Sequence, residues 1–203
     1  MRSVGLEWGP LGPGAVHLCV DMQNMFAEGT PWHTPWMKRV LPVVVELVQA
    51  HADATIFTRF IPPRRPEEMQ GTWRRYFKRW REMTIGEIDP YLLDLVEPLC
   101  RFVPPARLVD KRVYSPFHGT HLARELHKRR CDALVISGAE TDMCVLASVL
   151  DAVDLGIRVV LPADALCSSS DEMHEALLAL YRNRFSQQVE VATAETILAN
   201  WVR

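Results

Sequence analysis

Three side chains in this sequence have the chemistry for covalent attack on a carbonyl: the thiol of Cys144, the carboxylate of Asp21 and the amine of Lys111. A thiolate can form an acyl intermediate, a carboxylate can carry the proton that the thiol gives up, and a cation can hold the two together. Thr141 reads as an N-cap, which puts Cys144 in a helix's first turn, where unpaired amides and the positive dipole end favour an anion. A thiol placed there is expected to ionise more easily than a free one, whose pKa is about 8.5. Each residue also has a plainer reading. Cys144 alone fits a buried structural cysteine, Asp21 a turn cap, and Lys111 a solvated surface charge.

The three are interesting together because of the elements that precede them. The apolar run 133–136 reads as a buried strand, Gly138 as the turn after it, and Val145, Leu146, Val149 and Leu150 repeat with helical spacing. Asp21 ends the strand pattern 16–20, and Lys111 ends a short strand at 108–110. Further strands are expected at 54–60, 157–161 and 189–191. Helices are expected at 37–50 despite Pro42, from Asp89 and Pro90 to about Glu97, at 121–130, from a Ser169/Glu172 capping box to Arg184, and up to Trp201. Strands alternating with helices predict an α/β fold, a doubly wound and mainly parallel sheet of five or six strands with helices on both faces. In such sheets ligand-contacting groups sit beyond the carboxyl ends of the strands, where Asp21, Lys111 and Cys144 all fall.

The stretch 64–81 departs from the rest: seven Lys or Arg against two Glu make it +5, leaving 16 basic and 23 acidic residues, or -7, elsewhere. Within it Trp73, Tyr76, Phe77 and Trp80 follow an i, i+3, i+4, i+7 spacing, an aromatic stripe on one helical face. Such a stripe either packs on the core under a solvated basic surface or forms part of a lid or subunit contact over a pocket, and we assign 61–82 that second role. The remaining composition narrows the function. A chain of 203 residues with 48% hydrophobic content makes one domain over 1–203. A charge of -2 gives no sign of nucleic-acid or membrane partners, and no apolar run approaches the roughly 20 residues that span a bilayer. Five cysteines without close pairing form neither a disulfide framework nor a CxxC site, and the N-terminus lacks a signal peptide's apolar core, so a cytoplasmic location is expected. His118 and His121 have no acidic or cysteine partner beside them, so no metal is expected there.

The pieces VDMQNMF, DKRVYSPFHGTHL and SGAETDMCVLASVLDAVDLGIRVVLPADAL resemble, in order and spacing, the three signature regions of the isochorismatase-like cysteine hydrolase superfamily, in its metal-independent amidohydrolase branch. The resemblance covers about Val16 to Trp201. It implies an Asp-Lys-Cys triad, which falls on Asp21, Lys111 and Cys144, and a non-proline cis peptide, which falls by position on Ala139–Glu140. It further implies an oxyanion hole from the backbone N–H groups of Glu140 and Cys144, a small-molecule substrate, no cofactor, and a homo-oligomer, dimer or tetramer. Phe26, Trp73, Tyr76, Phe77, Trp80, Tyr114 and Phe117 are the expected substrate-binding residues.

The sequence departs from the family in two places. Nicotinamidase members carry a metal motif after the second strand, whereas residues 59–64 read RFIPPR, without His or Asp. The Glu140 position, usually small or apolar in such proteins, here bears a carboxylate. The resulting expectation is a cysteine-dependent hydrolase of a C–N bond in a small amide, ureido or carbamoyl-type compound. The alternatives are a vinyl-ether hydrolase, which would not need Cys144, and a non-catalytic small-molecule binding domain.

Overall fold

A computed structural model describes residues 5–27 and 29–202. Strands β1 (Val16–Val20), β2 (Thr55–Phe60), β3 (Arg107–Lys111), β4 (Ala133–Ala139), β5 (Arg158–Pro162), β6 (Leu166–Cys167) and β7 (Val189–Ala192) form one sheet. Its order is β3-β2-β1-β4-β5-β7, with β6 paired to the end of β4, and every pairing between these strands is parallel. The sheet therefore has seven strands rather than five or six. The addition is β6, two residues long, which pairs only with Gly138 and Ala139.

Side chains alternate across the sheet because successive residues of a strand point to opposite faces. Leu18, Val20, Leu134 and Ile136 pack on one face against Leu122 and Leu126 of α5 (Leu122–Lys128), Val149 of α6 (Leu146–Asp154) and Leu178 of α7 (Asp171–Arg184). Cys19, Phe57 and Val135 pack on the other against Val44, Leu47 and Val48 of α2 (Met37–Ala50) and Ile197 of α8 (Ala194–Ala199). A short α1 (Asn24–Ala27), α3 (Gly71–Arg79) and α4 (Glu97–Cys100) lie in the connections. Both faces of the central strands are thus covered, which explains why β1 and β4 are buried at every position and mainly apolar instead of alternating.

The chain runs outward through β1, β2 and β3, then returns to build β4, β5 and β7 on the other side of β1. The reversal lies between β1 and β4, the crevice where open α/β sheets bind ligands. Two features bring these strand ends close. Gly138 has a φ of +107°, and a Cβ there would meet the Val20 carbonyl oxygen at 2.1 Å, so only glycine fits. Beneath it, His17 on β1 spans three strands, with Nε2 2.8 Å from the Ser137 hydroxyl on β4 and Nδ1 3.3 Å from the Thr55 hydroxyl on β2. Burial, reinforced by His51, lowers the His17 pKa to about 3, so the ring is neutral in the folded protein.

Local boundaries differ from expectation where tertiary contacts take over. Asp89 caps only a short 3₁₀ turn, Pro90–Leu93, by accepting from the Tyr91 N–H at 2.9 Å. The chain beyond is drawn to β1: the Asn24 N–H donates to the Asp94 carbonyl and the Val96 N–H to the Met22 carbonyl, so no helix continues to Glu97. Helix α7 is capped by Ser170, which accepts from the Met173 N–H, and not by Ser169.

Candidate active site

The ends of β1, β3 and β4 bring Asp21, Lys111 and Cys144 together. Lys111 Nζ lies 2.7 Å from Asp21 Oδ2 and donates to Cys144 Sγ at 3.2 Å and to the Val113 carbonyl at 3.2 Å. The Lys111 and Asp21 side chains are 0% and 1% exposed, so the amine is no solvated surface charge. A charge buried this deeply is tolerated only with a partner and hydrogen bonds, and both are present. The ring of Phe60 adds a cation–π contact, 4.9 Å from Nζ to its centroid.

Asp21 is fixed from its other side. Its Oδ1 accepts from the Thr58 hydroxyl at 2.6 Å, and its own N–H reaches that hydroxyl at 3.1 Å, with the residue at a φ of 50° in the left-handed region. Next to it, the buried Gln23 amide accepts from the Phe60 N–H at 2.6 Å and donates to the Phe60 and Leu93 carbonyls. These bonds tie the ends of β1 and β2 together, so Asp21, Phe26 and Phe60 keep fixed positions.

Cys144 sits in a different turn from the one expected. Thr141 is fully buried and does not cap: its hydroxyl donates to the Cys167 carbonyl at 3.2 Å and pairs with His174 Nδ1 at 2.8 Å. With that side chain turned toward β6 and α7, the backbone makes a single π turn over Thr141–Val145 before α6 begins. The Glu140 carbonyl accepts from the N–H groups of Met143 and Val145 on either side of Cys144, and the Ala139–Glu140 peptide is cis. Amides in a helix's opening turn have no carbonyl one turn back to bind, and turns of this π type recur at functional sites.

The charge state of the thiol also differs from expectation. Burial pushes the Cys144 pKa up, Lys111 pulls it down, and the nearby Asp21 carboxylate pushes it up again, for a net rise. A position in a helix's first turn and a nearby cation do not outweigh burial here, so the environment favours the protonated thiol over the thiolate. Burial works against the Lys111 charge, the Asp21 carboxylate works for it, and the net direction is a raised pKa.

Cys144 opens into a cavity of about 330 Å³. Of the expected substrate-binding residues, Phe26, Tyr76, Trp80 and Tyr114 line it. Three others do not. Phe77, at the centre of the α3 stripe, is 0% exposed and stacks on Phe60 at 6.4 Å, since that direction faces the sheet. Trp73 contacts the Tyr114 ring at 4.7 Å and borders a separate surface cleft with Tyr76 and Tyr114. Phe117 packs against the opposite hydrophobic cluster. The Glu140 carboxylate, singled out in the sequence as a departure from the family, lines the cavity, as does Phe60, while Trp32 and Asp142 line it without having been singled out. Trp32 lies in the irregular chain between α1 and α2. Among the described residues no group of three or more His, Cys, Asp or Glu side chains converges as a metal site, and no helix is long and apolar enough to cross a membrane.

With this geometry in view, the chain matches the Isochorismatase domain over residues 15–195, and it belongs to that family. A 35% identical match to an uncharacterised isochorismatase family protein of Bacillus subtilis spans 42% of this chain and 47% of the relative, less than half its length. Maleamate amidohydrolase of Pseudomonas putida is 26% identical over 79% of this chain and 76% of its own. Among solved structures, a cysteine hydrolase from Pseudomonas syringae pv. phaseolicola 1448A superposes with a TM-score of 0.82 at 21% identity, covering 98% of each chain, a likeness of fold.

Proposed function

We propose that this protein is a cysteine-dependent amidohydrolase that cleaves the C–N bond of a small amide, ureido or carbamoyl-type substrate through a thioester. The observation that carries the reading is a single amine, Lys111 Nζ, within 2.7 Å of a carboxylate and 3.2 Å of a thiol that opens into a cavity of small-molecule size. The amidohydrolase relative supports the same bond class.

Since burial favours the protonated thiol, the proposed reaction begins with proton transfer. Asp21 takes the Cys144 proton as Sγ attacks the carbonyl carbon, and the carbonyl π electrons move to oxygen. The N–H groups of Glu140 and Cys144 receive that oxyanion. As the C–N bond breaks, Asp21 returns the proton to nitrogen, ammonia or an amine leaves, and a thioester remains. Water then gives a proton to Asp21 and its oxygen to the acyl carbon; the C–S bond breaks, the carboxylic acid departs, and Cys144 recovers its proton. Lys111 holds Asp21 and the sulfur in register throughout and moves no proton itself.

The test is ammonia release from a panel of small amides by the wild type and by Cys144→Ala, with circular dichroism confirming that both are folded. The variant should lose essentially all turnover. Activity within about tenfold of wild type would overturn the nucleophile assignment, since a group forming the covalent intermediate is worth several orders of magnitude.

A further inference from the structure

The cavity around Cys144 combines two features that nothing in the hydrolytic chemistry requires. Its walls are aromatic: Trp32 lies 6.2 Å from Phe26, 6.0 Å from Tyr76 and 6.3 Å from Trp80, measured between ring centroids, and all four rings line the space together with Phe60 and Tyr114. Its carboxylates are Glu140 and Asp142, its one imidazole is His33, and no Lys or Arg is among the described lining residues, so the lining is acidic on balance. The Lys111 amine does not offset them, because it is fully buried and bound to Asp21, Cys144 and the Val113 carbonyl.

Both carboxylates are held in place. Glu140 Oε1 accepts from the Ser169 N–H at 2.9 Å and from the Thr34 hydroxyl at 3.5 Å, while Asp142 Oδ1 accepts from the Ser168 hydroxyl at 2.6 Å. Among the described residues, no cationic side chain pairs with either one. A carboxylate fixed at the wall of a partly dry cavity repels an anionic ligand and attracts a cation, and an aromatic face attracts a cation by its quadrupole. The two features therefore favour the same ligand charge.

We propose that this cavity selects amides whose acyl portion carries a positively charged nitrogen, such as a quaternary ammonium, a protonated amine or a guanidinium, with Glu140 and Asp142 as specificity-determining residues. The inference rests on the amidohydrolase reading for its reacting group, but the cation preference can be measured without turnover.

The experiment uses three amides of one acyl chain length: trimethylammonio-butanamide, its neutral isostere with tert-butyl in place of trimethylammonium, and glutaramate, which ends in a carboxylate. Two readouts are taken on the wild-type protein: kcat/KM for ammonia release, and protection of Cys144 from alkylation by iodoacetamide. The cationic amide should exceed its isostere by about tenfold or more in both, a modest demand on one desolvated cation–π contact and a nearby carboxylate, and glutaramate should fall below the isostere. Glu140→Gln and Asp142→Asn should each shrink the cation-to-isostere ratio. If the isostere or glutaramate equals the cationic amide in protection, the proposal is overturned, whatever the turnover. If protection follows the expected order while none of the amides releases ammonia, the cation site stands and the amidohydrolase reading fails.

Discussion

Replacing Asp21 with Asn and Lys111 with Met should each stop amide hydrolysis, yet move the Cys144 thiol in opposite directions. After burial, the thiol's pKa reflects a balance between Lys111, which lowers it, and Asp21, which raises it. Asp21→Asn removes the carboxylate and leaves the amine acting on sulfur alone; Lys111→Met does the reverse. At the 3.2 Å between Nζ and Sγ, Coulomb's law with an effective dielectric constant of about 20 gives about 5 kcal/mol. Even a quarter of that corresponds to about one pKa unit. Iodoacetamide alkylation, followed by mass spectrometry across pH, reads the shift as a displacement of the rising limb of the rate profile. A more acidic thiolate is also a weaker nucleophile, so one unit down in pKa should raise the rate at fixed pH by only about threefold. Asp21→Asn should thus be alkylated faster than wild type and Lys111→Met slower, with neither releasing ammonia. Equal displacement in both variants, or a slower Asp21→Asn, would refute this account of the charges. Retained turnover in Asp21→Asn would remove Asp21 as the base. Lys111→Met also leaves Asp21 buried without its partner, so it should be destabilised by about 3–5 kcal/mol and has to be assayed well below its melting temperature.

Two further perturbations separate packing from recognition and report on the floor of the sheet. Phe77→Ala, at a fully buried stacked ring, should cost about 3–5 kcal/mol in urea unfolding with KM little changed. Trp80→Ala, at the cavity wall, should raise KM with only a small loss of stability; the opposite pattern would mean that the faces of α3 are misassigned. For His17, the folded pKa of about 3 lies below the ordinary 6.5, so the unfolded chain takes up the proton first as pH falls. The stability that this neutral ring contributes is complete above 6.5 and is lost progressively toward 3, amounting to about 3 kcal/mol by roughly pH 4. His17→Gln should flatten the pH dependence of unfolding free energy in that window, and an unchanged slope would show that His17 is not the group responsible.

The fold could be read from the sequence where burial alone decides the structure. The central strands are fully buried on both faces and are written as mainly apolar runs, broken only by the mutually bonded His17 and Ser137, and α2 carries its buried face at Val40, Val44, Leu47 and Val48, with Pro42 between them. Where a local signal competes with a long-range contact, the sequence misleads. Asp89-Pro90 is a sound helix start, but the Asn24 and Met22 backbones pair with Asp94 and Val96 and end the helix after one 3₁₀ turn. Thr141 is a sound N-cap, but its hydroxyl finds Cys167 and His174 instead. Strand β6 carries too few residues to show any period at all.

The candidate site divides in the same way. Asp21, Lys111 and Cys144 could be found because each follows a legible strand and the carboxyl ends of parallel strands converge. The aromatic stripe on α3 announced an apolar partner, but not which rings would face it, since a rotation of one position on a helix changes the direction by about 100°. Trp32, which contacts Phe26, Phe60, Tyr76 and Trp80, lies in chain without periodicity and gave no signal. The thiol's charge was misread for a different reason: residue type and helix position set the sign of two small influences, while burial, the largest, exists only after folding. The consequence is mechanistic. If the thiol were already ionised, Asp21 would have no proton to accept before attack, and its position 2.7 Å from Lys111 would serve only to cancel a charge. In the proposed mechanism a protonated thiol gives Asp21 a proton to accept in the first step, while Lys111, 2.7 Å away, holds the carboxylate in position.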